Sequence, residues 1–201
     1  MSADVPRVTS ILRLSIVLLA VVLLCGQALT GQAAIRLASV DGRLHDPLAR
    51  DQGTRAIVLL FLSADCPISN RYAPEIIRIR ERFSSAGVEF RLVYPNAYDS
   101  PSVIRTHLAA YGHRGLVLRD PDHALVGRAH VTVTPEAVVL GPTGRVAYRG
   151  RIDDRFVSLV SQRPSPTRHD LEDAITATLA GETVIPDSTP AVGCYVSDFG
   201  R

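Results

Sequence analysis

The stretch FLSADCPISNRYAPE, residues 61–75, runs an apolar segment into a cysteine, a proline and then residues at helical spacing. A thiol at such a place meets unpaired backbone N–H groups and the positive end of a helix dipole, and both favour thiolate over thiol. The thiolate is the nucleophile, so Cys66 is the candidate to attack a disulfide or an oxidised sulfur. Pro67 costs nothing in the first helical turn, where its missing N–H had no partner to lose. Ser69 stands where a second cysteine would complete a C-x-x-C pair. Its hydroxyl can hydrogen-bond the thiolate or cap the helix, but it cannot resolve a mixed disulfide or a sulfenic acid. Asp65 works against the helix end, because an adjacent carboxylate raises a thiol pKa. The sequence leaves that balance open.

A partner sulfur must therefore come from elsewhere, and the chain has three cysteines in all. Cys25 lies inside LSIVLLAVVLLCGQAL, an apolar run preceded by Arg7 and Arg13, of a length suited to a signal peptide. Residues 1–33 are expected to be a signal peptide cleaved after Ala33 or Ala34, or else an uncleaved membrane anchor over residues 11–29. Leu24 stands where a lipoprotein signal wants a small residue, so Cys25 reads as an ordinary apolar residue of the leader. Either way the body is exported, to a periplasmic or other extracytoplasmic space where disulfides persist. Two cysteines then remain, Cys66 and Cys194. Cys194 follows Gly181 by about thirteen residues, an extended reach of ~40 Å, whereas a domain of this size has a radius of gyration of only ~15 Å. The tail over 183–201 can reach Cys66, as a redox partner, as one half of a structural disulfide, or as an unpaired thiol.

The elements that must hold these groups read as one α/β domain over residues 34–182. RAIVLLFL, residues 55–62, is a continuous apolar run between turn residues, which fits a strand buried on both faces. Residues 74–83 carry a helical apolar spacing that continues from the turn at Cys66. VEFRLVYP gives the next strand. Ser100 and Pro101 open a helix that Gly112 stops, GLVLRD is a third strand, and residues 121–129 a short helix. Residues 136–140 and 146–152 are β-rich around Gly-Pro-Thr-Gly, a hairpin signal, and a last helix covers 169–179. The order implies a mixed sheet with a parallel core and an antiparallel C-terminal hairpin, covered on both faces.

On these residues the chain resembles a thioredoxin-like fold of the redoxin class (alkyl hydroperoxide reductase/thiol-specific antioxidant), and is similar to the TlpA/ResA-like exported thiol oxidoreductases. VLLFLSADCPISNRYAPE, Thr134-Pro135 leading into EAVVL, and the GPTGRVAYRG hairpin carry the likeness, over about residues 34–181. The resemblance implies a three-layer α/β/α sandwich, Cys66 as catalytic nucleophile with Cys194 as candidate resolver, and Pro135 as a cis-proline facing the thiol beside Thr134. Binding would fall to Ser63, Pro67, Ser69, Thr134 and Pro135. It implies a protein or small-molecule disulfide, or a peroxide, as substrate and a thiol as electron donor. It implies no cofactor. The match to peroxiredoxins is weaker: Ser63 fills the hydroxyl place of their P-x-x-x-T/S-x-x-C run, but Leu59 replaces the proline, and Thr134-Pro135 occupies the loop where they present an arginine.

The remaining polar residues divide similarly. Arg149 to Arg155, RGRIDDR, either bring an arginine to the thiolate or form local ion pairs at a solvated hairpin end. His123 and His130 flank the loop before Pro135 and, with the two cysteines, would suit a soft copper or zinc ion, although their spacing matches no metal signature. A non-catalytic metal-carrier module is the alternative that follows. His45, His107, His113 and His169 read as surface or turn residues, and Asn70 and Tyr72 either line the site or pack. A net charge of +2, with no basic run interleaved with aromatics, argues against nucleic acid as a partner.

Overall fold

The computed structural model describes residues 34–196, and its layers follow from one strand. β3 (Ala56–Phe61) has all six residues buried. Because strand side chains alternate, Val58 and Leu60 point to one face and Ile57, Leu59 and Phe61 to the other, and each set enters a separate hydrophobic cluster. Such a strand must lie mid-sheet, and it does. The sheet runs β2–β1–β5–β4–β3–β7–β8, with β1 at Leu37–Ser39, β2 at Leu44–His45, β4 at Val88–Tyr94, β5 at Leu116–Arg119, β7 at Glu136–Leu140 and β8 at Val146–Gly150. β3 pairs parallel with β4, and β4 with β5. β7 is antiparallel to β3, and β8 to β7. Truncating one such residue, Leu60→Ala, costs about 2–5 kcal/mol.

One face carries α1 (Pro67–Phe83), α4 (Asp170–Ala180) and Ile104 of α2 (Pro101–Tyr111). The other carries α3 (Ala124–Ala129). This is a three-layer α/β/α sandwich on a mixed sheet. In α1, Ile68, Tyr72, Ile76, Ile79 and Phe83 recur at helical spacing and are buried, and Pro67 is its first residue. The helix is longer than the apolar spacing suggested, because it begins at the turn after Cys66 and carries Pro74 within it. It ends through a short 3₁₀ turn at Gly87, where φ is +82° and an added Cβ would lie 2.8 Å from Gly53 O. α2 starts as expected, Ser100 Oγ accepting from the Val103 N–H at 3.3 Å. α3 is shorter than residues 121–129, opening after His123, and β8 ends at Gly150 rather than 152. Among the described residues no helix is long and apolar enough to cross a membrane. The expected leader, with its anchor alternative, lies outside the described residues.

After α4 the chain does not leave the domain. Arg149 N–H donates to Asp187 O and Thr189 N–H to Arg149 O, both at 3.0 Å, which adds the tail to the free edge of β8. Gly150 permits this: a Cβ there would lie 2.9 Å from Thr189 N. Thr189 Oγ1 also lies 2.6 Å from Tyr148 Oη and accepts from Arg151 N–H. From that anchor the chain crosses to β9 (Cys194–Tyr195), antiparallel to β6 (Val133–Thr134).

Candidate active site around Cys66

Cys66 is the residue before α1, at the mouth of β3, with extended backbone and Pro67 following. Its sulfur lies 3.0 Å from Thr134 O and, as a thiol, donates to it. The Thr134–Pro135 peptide is cis. That loop is held from behind by the buried carboxylate of Glu136, which accepts the N–H groups of Thr132 at 3.0 Å and Val133 at 3.4 Å. On the far side of β6, Cys194 pairs with Thr134 and Tyr195 with Val133, and Val196 N–H donates to Thr132 O at 3.0 Å. The tail thus brings the second sulfur to the first.

The two thiols have opposite electrostatics. Burial pushes the Cys66 pKa up, but hydrogen bonds to the sulfur from Cys194 and from the N–H and hydroxyl of Ser69 outweigh it, and the pKa falls below the ordinary thiol value. The Ser69 amide belongs to the first turn of α1, so this is the helix-end effect in its local form. Ser69 Oγ is fully buried and has no other hydrogen-bond partner among the described residues, which leaves its proton available to a Cys66 thiolate. Cys194 moves the other way, pushed up to about 12 by burial, by donating its proton to Cys66, and by the charges of Cys66 and Asp65. The balance left open at Asp65 thus falls toward a lowered Cys66 pKa, and the carboxylate bears on Cys194.

Ser63 sits two residues before Asp65, and its hydroxyl donates to that carboxylate at 2.5 Å and approaches Asp99 at 3.4 Å. Asp99, a residue the sequence reading passed over, is buried and accepts the Ala64 N–H at 3.2 Å. Burial raises its pKa. It pins the turn that presents Cys66. A second chain, also missed, runs from Tyr94 Oη to His107 Nδ1 at 2.8 Å and from His107 Nε2 to Asn70 at 2.7 Å. His107 and His113 are buried and stacked, 5.7 Å between ring centres, and are not surface residues. The helical spacing Ile104, His107, Leu108 was the available signal for His107. His113 follows the Gly112 stop and had none.

RGRIDDR forms local ion pairs and cross-links. Arg151 pairs with Asp170 at 2.7 Å, Asp154 with Arg163 at 3.1 Å, and Asp153 accepts from Tyr72 Oη at 2.5 Å. Tyr72 also packs on Phe156, so it belongs to the core. His123 and His130 stand at the two ends of α3, both with positive φ. Among the described residues the group able to reach one cation is Glu75, His169 and Glu172, not the histidine–cysteine set, and Arg78 and Arg82 already pair with Glu172.

No family model matches the chain, and no curated protein matches it. Solved structures do. An uncharacterised conserved protein from Geobacillus kaustophilus superposes with a TM-score of 0.68 at 23% identity, over 83% of this chain and 90% of that one. A thioredoxin-like protein from Aeropyrum pernix gives 0.55 at 17% identity, over 82% and 99%. The fold is thioredoxin-like. A secreted disulfide oxidoreductase from Mycobacterium tuberculosis gives 0.51 at 19% identity, over 74% and 96%. At these identities the likeness establishes the thioredoxin-like architecture, and the chemistry has to be argued from the site.

Proposed function

We propose that the protein is an exported thiol–disulfide oxidoreductase in which Cys66 attacks and Cys194 resolves. The observation that carries this reading is the placement of the second thiol: β9 sets Cys194 opposite Thr134, whose carbonyl lies 3.0 Å from Cys66 Sγ, and the two thiols shift in opposite directions, Cys66 down and Cys194 up. The Cys66 thiolate attacks a disulfide R–S–S–R′, forming the Cys66–S–S–R bond and expelling R′S⁻. Cys66 is then uncharged, and the two influences it exerted on Cys194 vanish. The Cys194 proton becomes easier to lose, and R′S⁻ is a base that can take it. The Cys194 thiolate attacks the Cys66 sulfur, breaks the mixed disulfide and releases RS⁻. The substrate has gained two electrons and the protein holds a Cys66–Cys194 disulfide, which an external thiol donor reduces.

Thr134, Pro135, Ser69 and Pro67 shape and polarise the groove. The apolar leader argues for an extracytoplasmic setting, tethered if residues 11–29 are retained, and the secreted Mycobacterium tuberculosis neighbour supports the same view. Peroxide reduction is the second reading, and the Ser63 hydroxyl weighs against it, since its proton is given to Asp65. The test is turnover of a disulfide substrate with a thiol donor. Cys66→Ser should abolish it, and Cys194→Ser should accumulate a Cys66 mixed disulfide detectable by mass. Peroxide consumption in preference to disulfide exchange would replace this reading with the second.

A further inference from the structure

Cys66 is only 1% exposed, and part of its cover is the tail strand around Cys194. A substrate sulfur attacked by Cys66 must come to the place the Cys194 sulfur now holds. A substrate chain and the tail therefore compete for one seat, and the fit of the tail shows what the seat accepts. Most of its hold is backbone pairing to β6, which any sequence can supply. Tyr195 is 82% exposed and is not read. Two positions are read. Val196 packs on the cluster that includes Phe61 and Val131. At Gly193 an added Cβ would overlap the Thr134 carbonyl oxygen, 2.6 Å from its carbon and 3.1 Å from Pro135 N.

The Thr134 carbonyl has little room to give way. It follows two N–H groups bonded to Glu136, precedes a proline nitrogen, and faces the Cys66 sulfur. A side chain at this position must lift the segment off β6 and carry its cysteine away from Cys66.

We propose that the tail occupies the protein's own substrate groove, and that the groove selects an extended polypeptide segment with glycine immediately before its reactive cysteine. This rests on Cys66 being the attacking sulfur. Access requires residues 190–196 to swing away from the Thr189 anchor on β8, and return of the tail delivers Cys194 to the mixed disulfide.

The test uses the full chain carrying Cys194→Ser and two end-blocked peptides, Gly-Cys-Tyr-Val and Ala-Cys-Tyr-Val, each as its thionitrobenzoate mixed disulfide. Attack on the peptide sulfur releases the coloured thiolate, the better leaving group. The glycine peptide should react at least about tenfold faster, and equal rates would overturn the proposal. In parallel, Cys66 alkylation by iodoacetamide is compared in Cys194→Ser alone, with Gly193→Ala added, and with Val196→Asp added, all checked for unchanged circular dichroism. Each added substitution should lift the tail and speed alkylation by about tenfold. Unchanged rates in both would mean the tail does not cover the groove. If iodoacetamide modifies Cys66 but neither peptide reacts, the oxidoreductase reading itself fails, and this inference with it.

Discussion

Thr134 and Cys194 face each other across the β6–β9 ladder and both bear on the same sulfur: the Thr134 carbonyl lies 3.0 Å from Cys66 Sγ, and Cys194 lowers the pKa of that thiol. The cis-proline loop and the C-terminal tail therefore form one unit around Cys66. The consequences below follow from that unit and from the side chains that support it.

The rate of Cys66 alkylation should rise with pH through a midpoint below that of an unperturbed thiol, since only the thiolate reacts. Ser69→Ala removes the hydroxyl's charge-assisted hydrogen bond to the sulfur and keeps the amide's. It should raise the midpoint by about one unit, the equivalent of about 1.4 kcal/mol. Cys194→Ala should also raise it. Midpoints unchanged in both variants would remove the proposed source of ionisation.

Gly150→Ala acts far from the sulfur along the chain, yet should weaken the redox pair. The added methyl meets the Thr189 backbone, so the anchor on β8 loosens and the effective concentration of Cys194 at Cys66 falls. Glutathione redox titration should show a less stable Cys66–Cys194 disulfide, by about fivefold or more. An unchanged midpoint would show that the anchor does not set the position of Cys194.

Acid stability should depend on His113, which burial first, then the neighbouring His107 and Arg80 charges, depress to about 4. Unfolded, its pKa is about 6.5. Between those values the unfolded chain binds the proton and the native chain does not, so stability falls as pH drops from about 6.5 to about 4 and the loss from this group is complete below that. His107 is depressed by burial too and adds in the same direction. His113→Phe should flatten the slope in urea melts across that window, and an unaltered slope would assign the loss to other groups.

Tyr72→Phe should cost about 1–3 kcal/mol, because the buried Asp153 carboxylate loses one of its two donors, keeping only the Arg155 N–H at 2.8 Å, while its Oδ2 is already without a partner among the described residues. Denaturant melts measure it. Cys66 alkylation, set by Ser69, Cys194 and the tail, should be untouched. A slowed alkylation rate would place Tyr72 in the site after all.

The fold was readable where local pattern and tertiary burial agree. The unbroken apolar run of β3 required a sheet covered on both faces, and Cys66 before Pro67 located the start of α1. The pairing of Cys194 was not readable, because its seat on β6 depends on Gly150 and Gly193 fitting backbone at distant positions, and chain length could give only a reach. Asp99 carried no signal ahead of the Ser100 cap, since a single carboxylate does not announce that it binds the Ala64 amide. His107 and His113 looked exposed because histidine is polar, whereas the Tyr94–His107–Asn70 chain forms only once α1, α2 and β4 meet.

The most direct measurement is of the oxidised protein itself. Exposed to a mild small-molecule disulfide and digested under conditions that block thiol exchange, it should yield a Cys66–Cys194 cross-linked peptide that disappears on reduction and returns on reoxidation. Two free cysteines throughout, or mixed disulfides on Cys66 that Cys194 never displaces, would contradict the account.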